Sequence, residues 1–309
     1  MGSPVHLSAW TANRDQARAA FDLAFKEWDR LDAAMSVWKQ NSDVMRLNAA
    51  AGDHPVQVGP DVRAALRIAR QVSDWTGGKF DITFGALGDL WKFDAQNQDN
   101  RIPDHAEVLR RLPLIDYTQV EVDDAAGTAF IRKKGASVNL GGIGKGYAVD
   151  RAVSILRNAG LRDFLVQAGG DLYVAGQRDG RPWRLGIRDP RGPQGTSFAA
   201  IDLTNSTFST SGDYERFFIR NGRRYHHIID PDTGEPAPLS RSVTMVTDRA
   251  VLADAIAKGV FILGPQKGMA LVEKLPGVEA VIVGADNSVH VSSGLKERLV
   301  LLAPPTDGP

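Results

Sequence analysis

The chain has 309 residues, 43% of them hydrophobic and 24% charged, enough to bury a sizeable core as one large domain or two closely packed lobes. Lys plus Arg and Asp plus Glu each number 37, so net charge gives no reason to expect nucleic acid or an anionic membrane surface as a partner. Cysteine is absent, which excludes disulfides, thiolate nucleophiles and Cys-ligated zinc, and no apolar run reaches the roughly 18 residues of a membrane-spanning helix.

In chain order, the first predicted element is a helix over Asn13 to Met35, where Phe21, Ala24, Phe25, Trp28 and Leu31 recur at offsets of three and four. Gly59-Pro60-Asp61 opens a second helix with Val62, Ala65, Leu66, Ala69 and Val72 inward, closed by Gly77-Gly78. The stretch from Gly77 to Leu87 reads as that cap followed by a core strand, or as backbone lying close to a flat ligand. Short strands are predicted at Val120 to Val122, Thr128 to Ile131, Phe164 to Gln167, Leu172 to Ala175 and Trp183 to Ile187. A helix from about Gly146 to Asn158 interrupts them and is capped by Gly160. Asn221-Gly222 joins Phe217-Arg220 to Arg223-Ile229 in a tight hairpin, because Asn-Gly accepts the positive φ angles such a turn needs. A helix over Arg249 to Leu263 precedes strands at Ala280 to Val283 and Val289 to Ser292. Hairpin strands with helices segregated from them indicate an α+β fold. Without repeats or low-complexity linkers, residues 1–303 are expected to form one unit and 304–309 a disordered tail.

Four segments carry chemistry. Asn139 to Asp150 is a glycine-rich loop (Gly141, Gly142, Gly144, Gly146) feeding a helix, which brings backbone N–H groups and a helix N-terminus toward an anion such as a diphosphate. It is not a P-loop, since Gly146 follows Lys145 where Ser or Thr is required, and Tyr147 spoils the dinucleotide fingerprint. A plain strand-to-helix turn with an exposed lysine has the same appearance. The second segment, Ser209 to Arg216 with the hairpin and Asp230-Pro231-Asp232-Thr233-Gly234, holds His226 and His227. Neighbours on a strand face opposite ways, so at most one of the two serves a given site, as acid, base or phosphate contact. Met35-Ser36-Val37-Trp38 is a loop offering a ring for stacking, although a single Trp is as readily core. On the late helix, Asp254 and Lys258 stand four apart on one face, as a salt bridge or with Asp254 facing a metal ion.

The order of these segments resembles the ApbE flavin transferases, FAD:protein FMN transferases once labelled thiamine biosynthesis lipoproteins. The match runs over Met1-Gly2-Ser3-Pro4-Val5, Met35-Ser36-x-Trp38 with Ser42 and Asn48, Gly78-x-Phe80-Asp81-x-Thr83 and Leu140 to Asp150. It continues through Gly169-Gly170-Asp171, Thr210-Ser211-Gly212-Asp213-Tyr214, His226 to Gly234 and Ala253-Asp254-Ala255. The resemblance implies an α+β fold related to the tunnelling fold and magnesium-assisted attack by a Thr or Ser hydroxyl of a target protein on the FMN-side phosphorus of FAD, with release of AMP. Carried over by position, it makes the Gly144 carbonyl and Asp254 metal ligands, sets Lys145 beside the diphosphate, makes His227 necessary for transfer and puts Trp38 where the family stacks a Tyr. Met35, Ser36, Asp81, Thr83, Gly141, Gly142, Ile143, Gly146, Asp150, Ser211, Gly212 and Asp230 fall at cofactor-lining or site-shaping positions. It also implies a target in a membrane redox complex and a place in the periplasm or on the outer face of the inner membrane. An export signal or lipid anchor would then lie upstream of Met1.

One position departs from the family pattern, because Lys258 stands where a Thr ligand is usual. An ammonium about 4 Å from a divalent ion is opposed by roughly 8 kcal/mol at an effective dielectric near 20. Either Lys258 points away and magnesium keeps water in its place, or the ammonium replaces the ion. Two rival functions stay open at this level: an FAD pyrophosphatase yielding FMN and AMP, and a flavin-binding protein without catalysis.

Overall fold

The computed structural model describes residues 3–93 and 100–308; Met1 and Gly2 of the opening motif lie outside them. Its helices are α1 (Arg14–Met35), α2 (Asp43–Ala49), α3 (Pro60–Thr76), α4 (His105–Arg111), α5 (Gly144–Asn158) and α6 (Ala250–Val272). Its strands are β1 (Val5–Ala9), β2 (Val56–Gln57), β3 (Val120–Asp123), β4 (Thr128–Ile131), β5 (Phe164–Ala168), β6 (Asp171–Ala175), β7 (Trp183–Arg188) and β8 (Ser197–Leu203). They continue with β9 (Ser206–Gly212), β10 (Phe217–Arg220), β11 (Arg223–His226), β12 (Ser240–Thr247), β13 (Glu279–Gly284), β14 (Val289–Val291) and β15 (Leu299–Leu301).

The central sheet runs β1-β5-β6-β9-β12-β13-β14 and every neighbouring pair in it is antiparallel. Alternation along a strand divides the core in two. Ala280 and Ile282 of β13 face α1, α3, α5 and α6, while Val281 and Val283 face a second, three-stranded sheet β15-β8-β7. That second core is completed by Val174 and Phe208 against Trp183, Ile187, Phe198 and Ile201. A third cluster stacks Trp91, Phe93, Phe218 and Tyr225 beneath the β10-β11 hairpin. The architecture is mixed helix and sheet in one unit, as the sequence indicated.

Local chemistry sets the helix ends. Asn13 caps α1 by accepting the Gln16 N–H at 3.0 Å, and Pro60 and Gly77 (φ 62°) bound α3. Along α1 the buried stripe is Ala17, Ala20, Ala24, Trp28, Leu31 and Met35; Phe25, expected on it, is exposed and meets Trp28 edge to face. Small alanines let α1 lie close on α5, where the Trp28 indole N–H donates to the Ala148 carbonyl at 2.7 Å. Helix α6 is broken at Gly264-Pro265, which is why apolar periodicity stops at Leu263. None of the helices described is long and apolar enough to cross a membrane.

Strands β8, β9, β12 and β15 of the two sheets are missing from the sequence expectation. Every residue of β12 is buried, yet four of the eight are Ser or Thr and one is Arg. Three of the five find partners in distant segments: Ser240 donates to the Phe261 carbonyl at 3.0 Å, Arg241 to Asn287 at 2.8 Å, and Thr244 shares a hydrogen bond with Thr210 at 2.9 Å. The core strand expected after Gly77 is instead a turn and a short 3-10 segment, Gly85–Leu87, because Asp81 bonds the backbone of Thr83 and Tyr117. The tail, expected to be disordered, is tied down as far as Asp307: Thr306 donates to Asp189 from its N–H at 3.0 Å and its hydroxyl at 2.6 Å, and Pro305 accepts from Asn287 at 2.8 Å.

Candidate active site

The glycine-rich loop is bent by Asn139, whose side chain accepts the Gly141 N–H at 2.8 Å and closes a 3-10 turn over Leu140–Gly142. Helix α5 then starts at Gly144, two residues before the expected Gly146. Asn48 of α2 clamps the approach to this loop, donating to the Val138 carbonyl at 2.9 Å and accepting the Val138 N–H at 2.8 Å. The loop is thereby fixed from a helix 90 residues away.

Glycine is required at position 146 by the neighbouring helix. A Cβ there would lie 2.2 Å from the Ala250 carbonyl oxygen and 2.7 Å from the Asp254 Cβ, so α5 and α6 touch backbone to backbone. Asp150, one turn further along α5, locks the contact by accepting the Ala250 and Val251 N–H groups at 2.8 and 3.0 Å at the start of α6. Burial pushes the Asp150 carboxyl up to about 6, against the pull of those two amides. Asp150 is therefore a helix clasp whose acceptors are already used.

This packing delivers Asp254, fully buried, to the N-terminus of α5. Its Oδ2 accepts the Gly146 N–H at 2.9 Å, Lys145 Nζ lies 3.2 and 3.4 Å from its two oxygens, and Lys258 Nζ contacts its Oδ1. Lys145 also pairs with Asp171 Oδ2 at 2.9 Å, and the other Asp171 oxygen takes the Ser209 hydroxyl. The result is a neutral quartet of two lysines and two aspartates. Burial would raise the Asp254 carboxyl, but Lys145 and Lys258 outweigh it and hold it below the usual carboxylate range. Burial lowers the Lys258 ammonium, and the charge of Lys145 adds to that, against the opposing pull of Asp254. Lys145 is held above the ordinary lysine value because Asp171 and Asp254 together exceed its burial penalty.

Of the adjacent histidines, His226 ends β11 and is spoken for: one ring nitrogen bonds the Ala237 carbonyl at 3.0 Å and the ring packs edge-on to Phe261. His227 lies just past the strand, its N–H donating to the Arg216 carbonyl at 3.1 Å, and its buried Nδ1 has no hydrogen-bond partner among the described residues. Burial, then the charges of His226, Arg216 and Lys258, push His227 down to about 3, so its ring is held neutral and offers a hydrogen-bonding nitrogen rather than a strong base. Lys258 is the member of the quartet whose charge acts on it.

The other expected residues divide. Gly141, Gly142, Ile143, Gly144, Lys145 and Gly146 line the loop and helix start that meet Asp254 and Lys258. Ser211 is two positions along β9 from Ser209 and so on the same face as the Asp171 contact, with Gly212 next to it beneath the Tyr214 ring. Met35 is buried at the end of α1, Ser36 accepts the Trp38 N–H at 3.2 Å, and the Trp38 ring is 78% exposed. Asp81 and Thr83 are consumed in one turn: Asp81 accepts the Thr83 N–H and hydroxyl at 2.7 and 2.6 Å and the Tyr117 N–H at 2.9 Å. Asp230 is held by Lys79 at 2.7 Å. The sequence reading left Asp171 and Ser209 out of the site; the Gly169-Gly170-Asp171 turn, where a Cβ at Gly170 would strike the Thr210 carbonyl at 2.7 Å, was the signal available.

Magnesium, the ion implied by the resemblance, does not fit these side chains. Each Asp254 oxygen already receives a lysine ammonium, one of them also a backbone N–H, and the position of the third ligand is itself a cation. Among the described residues no group of three or more His, Asp or Glu side chains is gathered to hold a metal.

The sequence matches the family model described as "ApbE family" over residues 1–282. The chain is 33% identical over 302 residues to the FAD:protein FMN transferase of Treponema pallidum, covering 93% of this chain and 83% of the relative. Its fold superposes on an ApbE protein of Thermotoga maritima with a TM-score of 0.86 at 32% identity, and on the flavin transferase ApbE of Vibrio cholerae with a TM-score of 0.85 at 25% identity, each over 96% of both chains.

Proposed function

The chain belongs to the ApbE family, and from that membership we propose that it transfers the FMN half of FAD onto a hydroxyl of another protein. The reading is carried by one observation: Lys145, the N-terminus of α5 and Asp254 meet at a single point, and the charge of Lys258, which contacts that Asp254, acts on the neutral His227. The acceptor is a Thr or Ser hydroxyl. Its oxygen bonds to the FMN-side phosphorus, the bond from that phosphorus to the bridging oxygen breaks, and AMP departs with that oxygen. The hydroxyl is oriented by a hydrogen bond to a neutral ring nitrogen of His227, and its proton leaves to solvent as the new bond forms. Transfer of this kind calls for in-line positioning and charge stabilisation more than covalent help, which the α5 N–H groups and Lys145 supply. No step runs through magnesium, since Asp254 is saturated by the protein's own cations. The exposed Trp38 is the stacking surface for the isoalloxazine.

Family resemblance alone supports extending the reading to a target in a membrane redox complex and to action in the periplasm or on the outer face of the inner membrane. The test is to incubate the protein with FAD and a threonine-bearing acceptor peptide and to weigh the peptide. An FMN adduct is expected; free FMN with AMP and an unmodified peptide makes the protein a hydrolase, and intact bound FAD makes it a binder. His227→Asn is expected to slow transfer by about 10²-fold while FAD still binds.

A further inference from the structure

We propose that Lys258 is a built-in cation that takes the place of a divalent ion at Asp254, so that this chain transfers FMN without bound metal. The inference rests on the transferase reading above for its chemistry but on geometry for its premise. Asp254 and Lys258 stand four positions apart on α6, so both side chains leave one helix face and meet within the buried layer between α5 and α6. The ammonium contacts Oδ1, Lys145 approaches both oxygens, and the Gly146 N–H fills Oδ2, which leaves the carboxylate no lone pair directed at a further ion.

Charge counting agrees. Lys145 and Lys258 balance Asp171 and Asp254, and a divalent ion seated at the fully buried Asp254 would leave two uncompensated charges beside two ammonium groups. An ammonium needs no such compensation. Lys258 keeps 17% of its side chain exposed while Asp254 keeps none, so the cation lies on the open side of the carboxylate, where a bound diphosphate would meet it. Its charge also acts on His227. A lysine at this point supplies one unit of positive charge to the developing phosphate oxygens, held by its own helix and independent of metal supply.

The experiment uses the full chain and manganese(II) as the metal probe, followed by its electron paramagnetic resonance signal. The wild-type protein is expected to leave the free-ion signal undiminished, and Lys258→Thr to remove one ion per chain. In parallel, wild-type FMN transfer is expected to be equal in EDTA and in magnesium, whereas the Lys258→Thr variant loses at least about tenfold in EDTA. Stoichiometric manganese binding by the wild type overturns the proposal, and so does a folded Lys258→Thr variant that binds no ion. If that variant does not fold, the wild-type titration and its EDTA comparison still decide. A protein that transfers no FMN under any condition defeats the transferase reading, while the manganese titration continues to judge Lys258 separately.

Discussion

Two clusters of lysine and aspartate hold distant parts of this chain together, and they differ in almost everything except composition. In one, Lys79 bridges Asp230 and Asp232 at 2.7 and 2.8 Å, tying the end of α3 to the turn after the hairpin, with Asp232 open to solvent. In the other, Lys145, Lys258, Asp171 and Asp254 meet between two helices and a strand, with Asp254 fully buried. Water screens the first, so it acts as a clasp on a loop. The second has only its own members to balance it, so each charge depends on the others. The same residue types become structure in one place and chemistry in the other because of solvent access.

The largest effect expected is at the buried cluster. Asp254→Asn leaves two ammonium groups facing a neutral amide and is expected to cost roughly 3–5 kcal/mol in chemical denaturation. A loss below about 1 kcal/mol would make the two clusters equivalent.

Acid should separate them next. His226 and His227 are pushed down to about 4 and about 3, so in the unfolded chain they take up protons near the ordinary value of 6.5 while the folded chain refuses them. Stability therefore has no histidine slope above that value and falls as pH drops below it, by up to ~2.7 kcal/mol per pH unit between about pH 6 and pH 4. His227→Gln is expected to halve that slope in denaturation curves taken across the range.

A smaller effect tests the helix contact that builds the quartet. Gly146→Ala forces α5 off the Ala250 carbonyl and is expected to cost about 1–3 kcal/mol, with transfer falling because Asp254 shifts from the α5 N-terminus. The smallest change belongs to the exposed clasp. Asp232→Asn is expected to alter stability by no more than about 1 kcal/mol and to leave transfer intact, and a larger loss would show that the clasp is part of the working site.

Local signals read well from the sequence where the physics is local. Asn13, Pro60 and Gly77 mark helix ends because a cap is decided within three or four residues, and Asn221-Gly222 marks its hairpin because two φ angles decide it. The buried strands β9 and β12 were not legible, since Ser209 and Thr210 find their partners across the sheet in Asp171 and Thr244, Ser240 finds its partner in Phe261 of α6, and no short window of sequence contains both members of a pair. Phe25 was misplaced because helical periodicity gives a face but not which of two adjacent stripes the neighbouring helix covers.

The site divides the same way. The glycine-rich loop, Asp254 four residues from Lys258 and the paired histidines were visible as motifs, and the sequence by itself determined which residue types could handle a diphosphate. It left open whether Lys258 turned toward Asp254, which histidine stayed free, and that Asp171 completes the charge balance. Only the packing of α5 on α6, set by the missing Cβ of Gly146 and the Asp150 clasp, decided those points. Electrostatic partners are fixed by distance and burial, and both come into existence only once the helices have closed against each other.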